Sequence, residues 1–167
     1  MWDLPKKATA MTHIRHILCP IDLSEHAEFV LTYAAVLAGK LDARITALYA
    51  YQLAWAPYPD DMPGDREQLE DVVRSACTRE LREMALRCGH GGVRIEPTVK
   101  EGRPHEVIVE EARALGADLI VMGTHGRAGL PRVLLGSVAE RVVRTSPVPV
   151  LSLHGPGTES ETGEVAA

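Results

Sequence analysis

Apolar and polar positions follow two rhythms along this chain, and each change of rhythm marks an element. Ile14 to Ile21 is a short apolar run broken by His16 and stopped by Asp22-Leu23-Ser24. A short run ended by a turn signal predicts a strand, and Ser24 is the residue type that caps a helix start. Val30, Leu31, Ala34, Leu37 and Ala38 then recur at helical spacing, with Gly39 expected to supply the left-handed residue that ends the helix. A second strand, Ala43 to Ala50, is predicted directly after it.

Tyr51 to Gly64 reads YQLAWAPYPDDMPG, whose prolines and paired aspartates predict a surface loop, with Trp55, Tyr51 and Tyr58 as contact surface. Leu69, Val72, Val73, Ala76, Leu81 and Met84 predict the longest helix, Asp65 to Cys88, stopped by Gly89-His90-Gly91-Gly92. Val93, Ile95, Pro97 and Val99 alternate as in a strand, and Pro97, with no N–H for a ladder, predicts an edge position. Pro104 opens a helix burying Val107, Ile108 and Leu115 up to Gly116, and Asp118 to Met122 follows as a buried strand. A helix from Ser137 to about Arg144 and a last strand, Val148 to Leu153, complete the order β-α-β-α-β-α-β-α-β. Strict alternation predicts a parallel sheet covered on both faces, with ligands at the carboxyl ends of strands near a topological switch point.

The 167 residues are 46% apolar and 25% charged, which suits one globular domain. A net charge of −5 with dispersed lysines and arginines argues against nucleic acid as a partner. No segment reaches membrane-spanning length and none resembles a signal peptide. Cys19, Cys77 and Cys88 form no Cys-x-x-Cys pair, which suits a reducing, cytoplasmic setting. Residues 1–12 are expected to be a flexible arm, and residues 155–167, polar and acidic, a disordered tail around the domain 13–154.

The candidate chemistry lies after the fourth strand. Gly123-Thr124-His125-Gly126, nine residues from Arg127 to Leu135, and Gly136-Ser137 give the spacing G-x2-G-x9-G-S. Glycines at a strand's carboxyl end let backbone N–H groups approach a ligand, and a helix N-terminus adds partial positive charge for phosphate. Arg127 and Arg132 can add charge-assisted bonds, although solvated arginines are the commoner case. Ser137 with Glu140 also spells a capping box, which needs no ligand. Neither G-x4-G-K-[ST] nor G-x-G-x-x-G after a strand occurs, which weakens Walker-type and standard dinucleotide readings.

G-x2-G-x9-G-[ST] after the fourth strand resembles the signature of ATP-binding universal stress proteins. Ile17-Leu18-Cys19-Pro20-Ile21-Asp22-Leu23-Ser24 resembles that family's opening strand, which runs into Pro-x-Asp-x-Ser. Gly102-x-Pro104-His105-Glu106 and Ser146-Pro147-Val148-Pro149-Val150 extend the resemblance from about His13 to Leu153. It implies a single-domain, Rossmann-like open sheet of five parallel strands in the order 3-2-1-4-5. It further implies an adenine-nucleotide site, for ATP or its relatives ADP and AMP, made by Pro20, Ile21, Asp22, Ala50, Met122, Gly123, His125, Gly126, Arg127, Gly136, Ser137 and Val138. In that site Asp22 would reach the ribose or a phosphate-bound Mg, and backbone at Ala50 would contact adenine. A homodimer through Val148 to Leu153 is implied as well. An acid facing a ribose diol is chemically apt because a carboxylate accepts two hydrogen bonds.

No catalytic constellation emerges. His13 and His16 would face opposite sides of a strand, so no protein-only metal site is expected; His26, His90, His105 and His154 stand apart from any nucleophile and read as surface histidines. Nucleotide binding in a stress-response role, with little or no turnover, is therefore the reading that the residues and the resemblance favour. The alternative is a nucleotidyl- or phosphoryl-transferring enzyme on the same fold.

Overall fold

The computed structural model describes residues 13–53, 65–89, 91–124 and 136–154. The expected arm and tail, most of the loop after Tyr51, and residues 125–135 lie outside them. Nine elements alternate along the chain: β1 His16–Ile21, α1 Glu25–Leu41, β2 Arg44–Tyr51, α2 Asp65–Cys88, β3 Ile95–Glu101, α3 Pro104–Ala114, β4 Leu119–Gly123, α4 Ser137–Thr145 and β5 Val150–Leu153. The strands form one sheet in the order β3-β2-β1-β4-β5, all neighbours parallel. Every residue of β1 is buried, as a central strand covered on both faces requires. Pro97 sits in β3, at the sheet's edge, where its missing donor is tolerated.

Alternation along the strands divides the core in two. Ile17, Cys19 and Ile21 turn to one face with Ile45, Ala47 and Val121, under Val30, Leu31 and Ala34 of α1 and Leu81 and Met84 of α2. Leu18, Leu48, Ile120 and Met122 turn to the other, under Val107 and Ile108 of α3 and Ala139 and Val142 of α4. Two helices per face is the outcome of right-handed crossovers that run one way to β3 and then reverse to β4 and β5.

Several local expectations are corrected. α1 does not end at Gly39; it continues to Leu41, and Asp42 takes the left-handed conformation, φ 53°, with its N–H bonded to Ala38 O. Gly39 serves close approach instead, since a Cβ there would lie 3.2 Å from Val93 Cγ2. In α2 the apolar stripe is buried toward the end: Leu81 is fully covered, whereas Val72 is 64% exposed. His16, an interruption in an apolar run, is buried. Its Nε2 lies 2.8 Å from Thr46 Oγ1 and its Nδ1 3.2 Å from Leu115 O, so β1 is tied to β2 and to the α3–β4 turn. Asp118 Oδ2 accepts the N–H groups of Arg15 and His16 at 2.8 and 3.0 Å, closing the amino pole of the sheet.

Candidate functional site

The carboxyl pole is built differently. β1 and β2 pair from His16↔Arg44 through Ile21↔Tyr49, but β1 and β4 pair only at Ile17↔Leu119 and Leu18↔Ile120. Pro20 has no N–H to extend the second ladder. This is also where the order of strands reverses, the place where open α/β sheets form a crevice.

Asp22 stands at the mouth of that crevice, directly after β1. Its Oδ1 accepts from Ser24 N–H at 3.1 Å and from Ser24 Oγ–H at 2.6 Å. Leu23 between them is held at φ 59°, a conformation that costs a branched residue on the order of 1–2 kcal/mol. The turn thus fixes the carboxylate's direction. Ser24 occupies the N-cap position of α1 but makes no side-chain cap bond, its hydroxyl being committed to Asp22. Asp22 Oδ2 is buried and has no hydrogen-bond partner among the described residues. Such an orphan acceptor costs about 1–3 kcal/mol, and natural proteins retain one where something else satisfies it.

The other sequence-predicted residues arrive at the same pole. Pro20 and Ile21 end β1, and Ala50, penultimate in β2, packs with Val138 of α4 against the α3–α4 face of the core. Met122 is buried at the end of β4 and Gly123 closes that strand. Gly136 is the N-cap of α4 and Ser137 its first residue, with no side-chain cap bond, so the expected capping box does not form. Glu140 pairs with Arg144 at 3.5 Å instead. The first-turn N–H groups of α4 have no intrahelical acceptor and carry the positive end of the helix dipole. His125, Gly126 and Arg127 lie outside the described residues.

Sequence reasoning missed Thr124. It is buried, its N–H donates to Leu153 O at 2.9 Å, and its carbonyl accepts the N–H of Gly136 at 2.7 Å. The two ends of the glycine segment are therefore joined at the base. The partners are 12 and 29 positions away, so no local signal points to them.

Burial and the neighbouring Cys88 push the Cys19 thiol far above its ordinary range, which leaves it a core side chain rather than a nucleophile. Among the described residues no group of three or more His, Cys, Asp or Glu is placed to hold a metal. No helix among them is long and apolar enough to cross a membrane. A concavity of about 370 Å³ beside Gly39, Asp42, Arg44 and Val93 lies at the amino pole, away from Asp22 and from α4's N-terminus.

The universal stress protein family model matches residues 13–154. Universal stress protein MJ0531 of Methanocaldococcus jannaschii is 34% identical over 146 residues, 87% of this chain and 85% of that protein. UspA of Lactobacillus plantarum superposes with a TM-score of 0.73 at 25% identity, covering 85% of this chain and 99% of that one. A universal stress protein solved in complex with cyclic AMP gives a TM-score of 0.66 at 26% identity, over 87% of this chain and all of the other. With its fold and most of its length matched, the chain belongs to the universal stress protein family.

Proposed function

We propose that this protein binds an adenine nucleotide, with ATP the first candidate, at the carboxyl pole of the sheet, and acts through occupancy rather than turnover in a cytoplasmic stress response. The observation that carries the reading is Asp22 Oδ2, a buried acceptor without a partner among the described residues, aimed from a constrained turn at the switch point. A ribose hydroxyl, or a magnesium ion carried in by the phosphates, is the chemistry that such an oxygen accepts. The N-terminus of α4 supplies N–H donors for phosphate. The complex of a structural relative with cyclic AMP supports the adenine nucleotide class.

The carboxylate and hydroxyl that stand together at this pole, Asp22 and Ser24, form the turn that directs Oδ2, so the binding reading is preferred to group transfer. Thermal unfolding with ATP, ADP, AMP and cyclic AMP tests it. A ligand that binds only the folded state at about 100 times its Kd adds ~2.7 kcal/mol. If none of the four raises the melting temperature the reading fails, and steady release of ADP or AMP would replace it with the enzymatic one.

β5 supports a homodimer through Val148 to Leu153. It is the sheet's second edge, and Pro149 O and Leu153 O face β4, so the alternation along the strand turns the backbone groups of Val150 and Ser152 outward. Sedimentation should give a dimer that Ser152→Pro, lacking an outward donor, converts to monomer; a wild-type monomer at high concentration would refute it.

A further inference from the structure

Among the described residues, four hydrogen-bonding contacts converge on Thr124. Besides the two backbone bonds, to Leu153 O and from Gly136 N–H, its hydroxyl lies 3.3 Å from Leu153 O and 2.9 Å from His154 Nδ1. A hydroxyl has one proton to give. These contacts are satisfied when Thr124 Oγ1 donates to Leu153 O and accepts from His154 Nδ1–H, a donor present in one neutral tautomer and in the imidazolium.

We infer that His154 is a positioning residue for the nucleotide site, acting through Thr124; the inference rests on the nucleotide reading above. Thr124 is the residue after Gly123, and its carbonyl holds Gly136, the N-cap of α4. Any rotation of Thr124 therefore moves both glycine ends of the site, together with the first-turn N–H groups that face phosphate. The buried hydroxyl resists that rotation, and His154 is one of the groups among the described residues that fix it. His154 itself is exposed and lies one residue beyond β5, so its loss subtracts little from the core. Binding sites depend on such supporting contacts because donors must be held close to their productive geometry.

The experiment compares the full chain with His154→Ala and His154→Asn. Asparagine keeps an N–H donor within similar reach of Thr124 Oγ1. The ATP Kd from calorimetry should rise about 3- to 10-fold in His154→Ala, the worth of one neutral hydrogen bond, and recover in His154→Asn. The melting temperature of the free protein should fall by only about 2–4 °C, since the same bond is lost there. Without nucleotide, the Gly136 amide should exchange faster with solvent in His154→Ala than in wild type. Unchanged Kd together with unchanged Gly136 exchange overturns the assignment, as does a Kd loss that His154→Asn fails to recover. A wild type that binds no nucleotide refutes the nucleotide reading, and the exchange measurement then still decides whether His154 moors Gly136.

Discussion

Asp22→Asn isolates the atom on which the binding reading depends. The variant keeps an acceptor toward Ser24, whose N–H and hydroxyl lie 3.1 and 2.6 Å from Oδ1, and replaces the unpartnered Oδ2 with an uncharged NH2. In the free protein a buried acceptor without a partner costs about 1–3 kcal/mol, and an amide in its place carries a similar cost without the charge. The free variant should therefore be as stable as wild type or up to about 1 kcal/mol more stable, a gain of ~2–4 °C for a chain of this size.

In the complex the carboxylate's hydrogen bond is charge-assisted and worth about 1.5–3 kcal/mol, so its loss should weaken binding roughly 10- to 150-fold. At a nucleotide concentration about 100 times the wild-type Kd, wild type gains ~2.7 kcal/mol; a variant about 30-fold weaker gains only ~0.9. Melting shifts of roughly 5–10 °C and about 2–3 °C follow. Scanning calorimetry with and without ATP, backed by titration calorimetry, reads both effects. Two results would refute the reasoning: a Kd within twofold of wild type, or a free variant destabilised by more than about 2 kcal/mol, since the latter would mean that Oδ2 is already satisfied within the protein.

Ser137→Ala should leave the free protein's stability within about 0.5 kcal/mol, because Ser137 makes no cap bond, so any loss of ATP affinity would report a ligand contact. Gly102→Ala should cost about 2–4 kcal/mol, seen as an early urea midpoint: Gly102 has φ 142° and its new Cβ would stand 2.7 Å from Val107 Cγ2. Burial, then Arg44, holds the His16 imidazole below the ordinary histidine range, against the raising influence of the Leu115 carbonyl and of Asp118 and Glu96. The unfolded chain then binds the proton more readily, so this contribution is full above about pH 6.5 and is lost as pH falls below it. The urea midpoint should drop from pH 7.5 to pH 5, and His16→Gln should flatten that part of the slope.

The order of elements was legible because each rests on local patterning: α2 has its predicted bounds, Asp65–Cys88, and Pro97 marked the edge strand. What failed were inferences that needed a partner or an angle. Gly39 looks like a helix stop, yet what it does is leave room for Val93, more than 50 positions later. Ser137 and Glu140 have capping-box spacing, but the helix begins one residue too early for Ser137 to be its cap. Leu69 and Val72 keep helical period yet are 40% and 64% exposed, so period locates the helix without showing how much of its stripe is covered. In the site, Asp22 could be singled out by its motif, whereas its free oxygen and the Leu23 turn that aims it required coordinates.

The two poles of the sheet show why site and stability can be separated in this fold. At the amino pole the buried polar groups are matched within the protein: His16 reaches Thr46 and Leu115 O, and Asp118 takes two N–H groups of β1. Substitutions there should act on folding, and through pH. At the carboxyl pole β1 and β4 part after Leu18↔Ile120, Asp22 keeps an oxygen unmatched among the described residues, and Thr124 joins the ends of the glycine segment to β5. An unmatched acceptor lowers the stability of the free protein, so on the proposed reading the free energy missing at this pole is what the nucleotide would return on binding. That places the energetic link between occupancy and fold at Asp22, and it predicts that variants which stabilise the empty protein at this pole will be the ones that bind nucleotide least well.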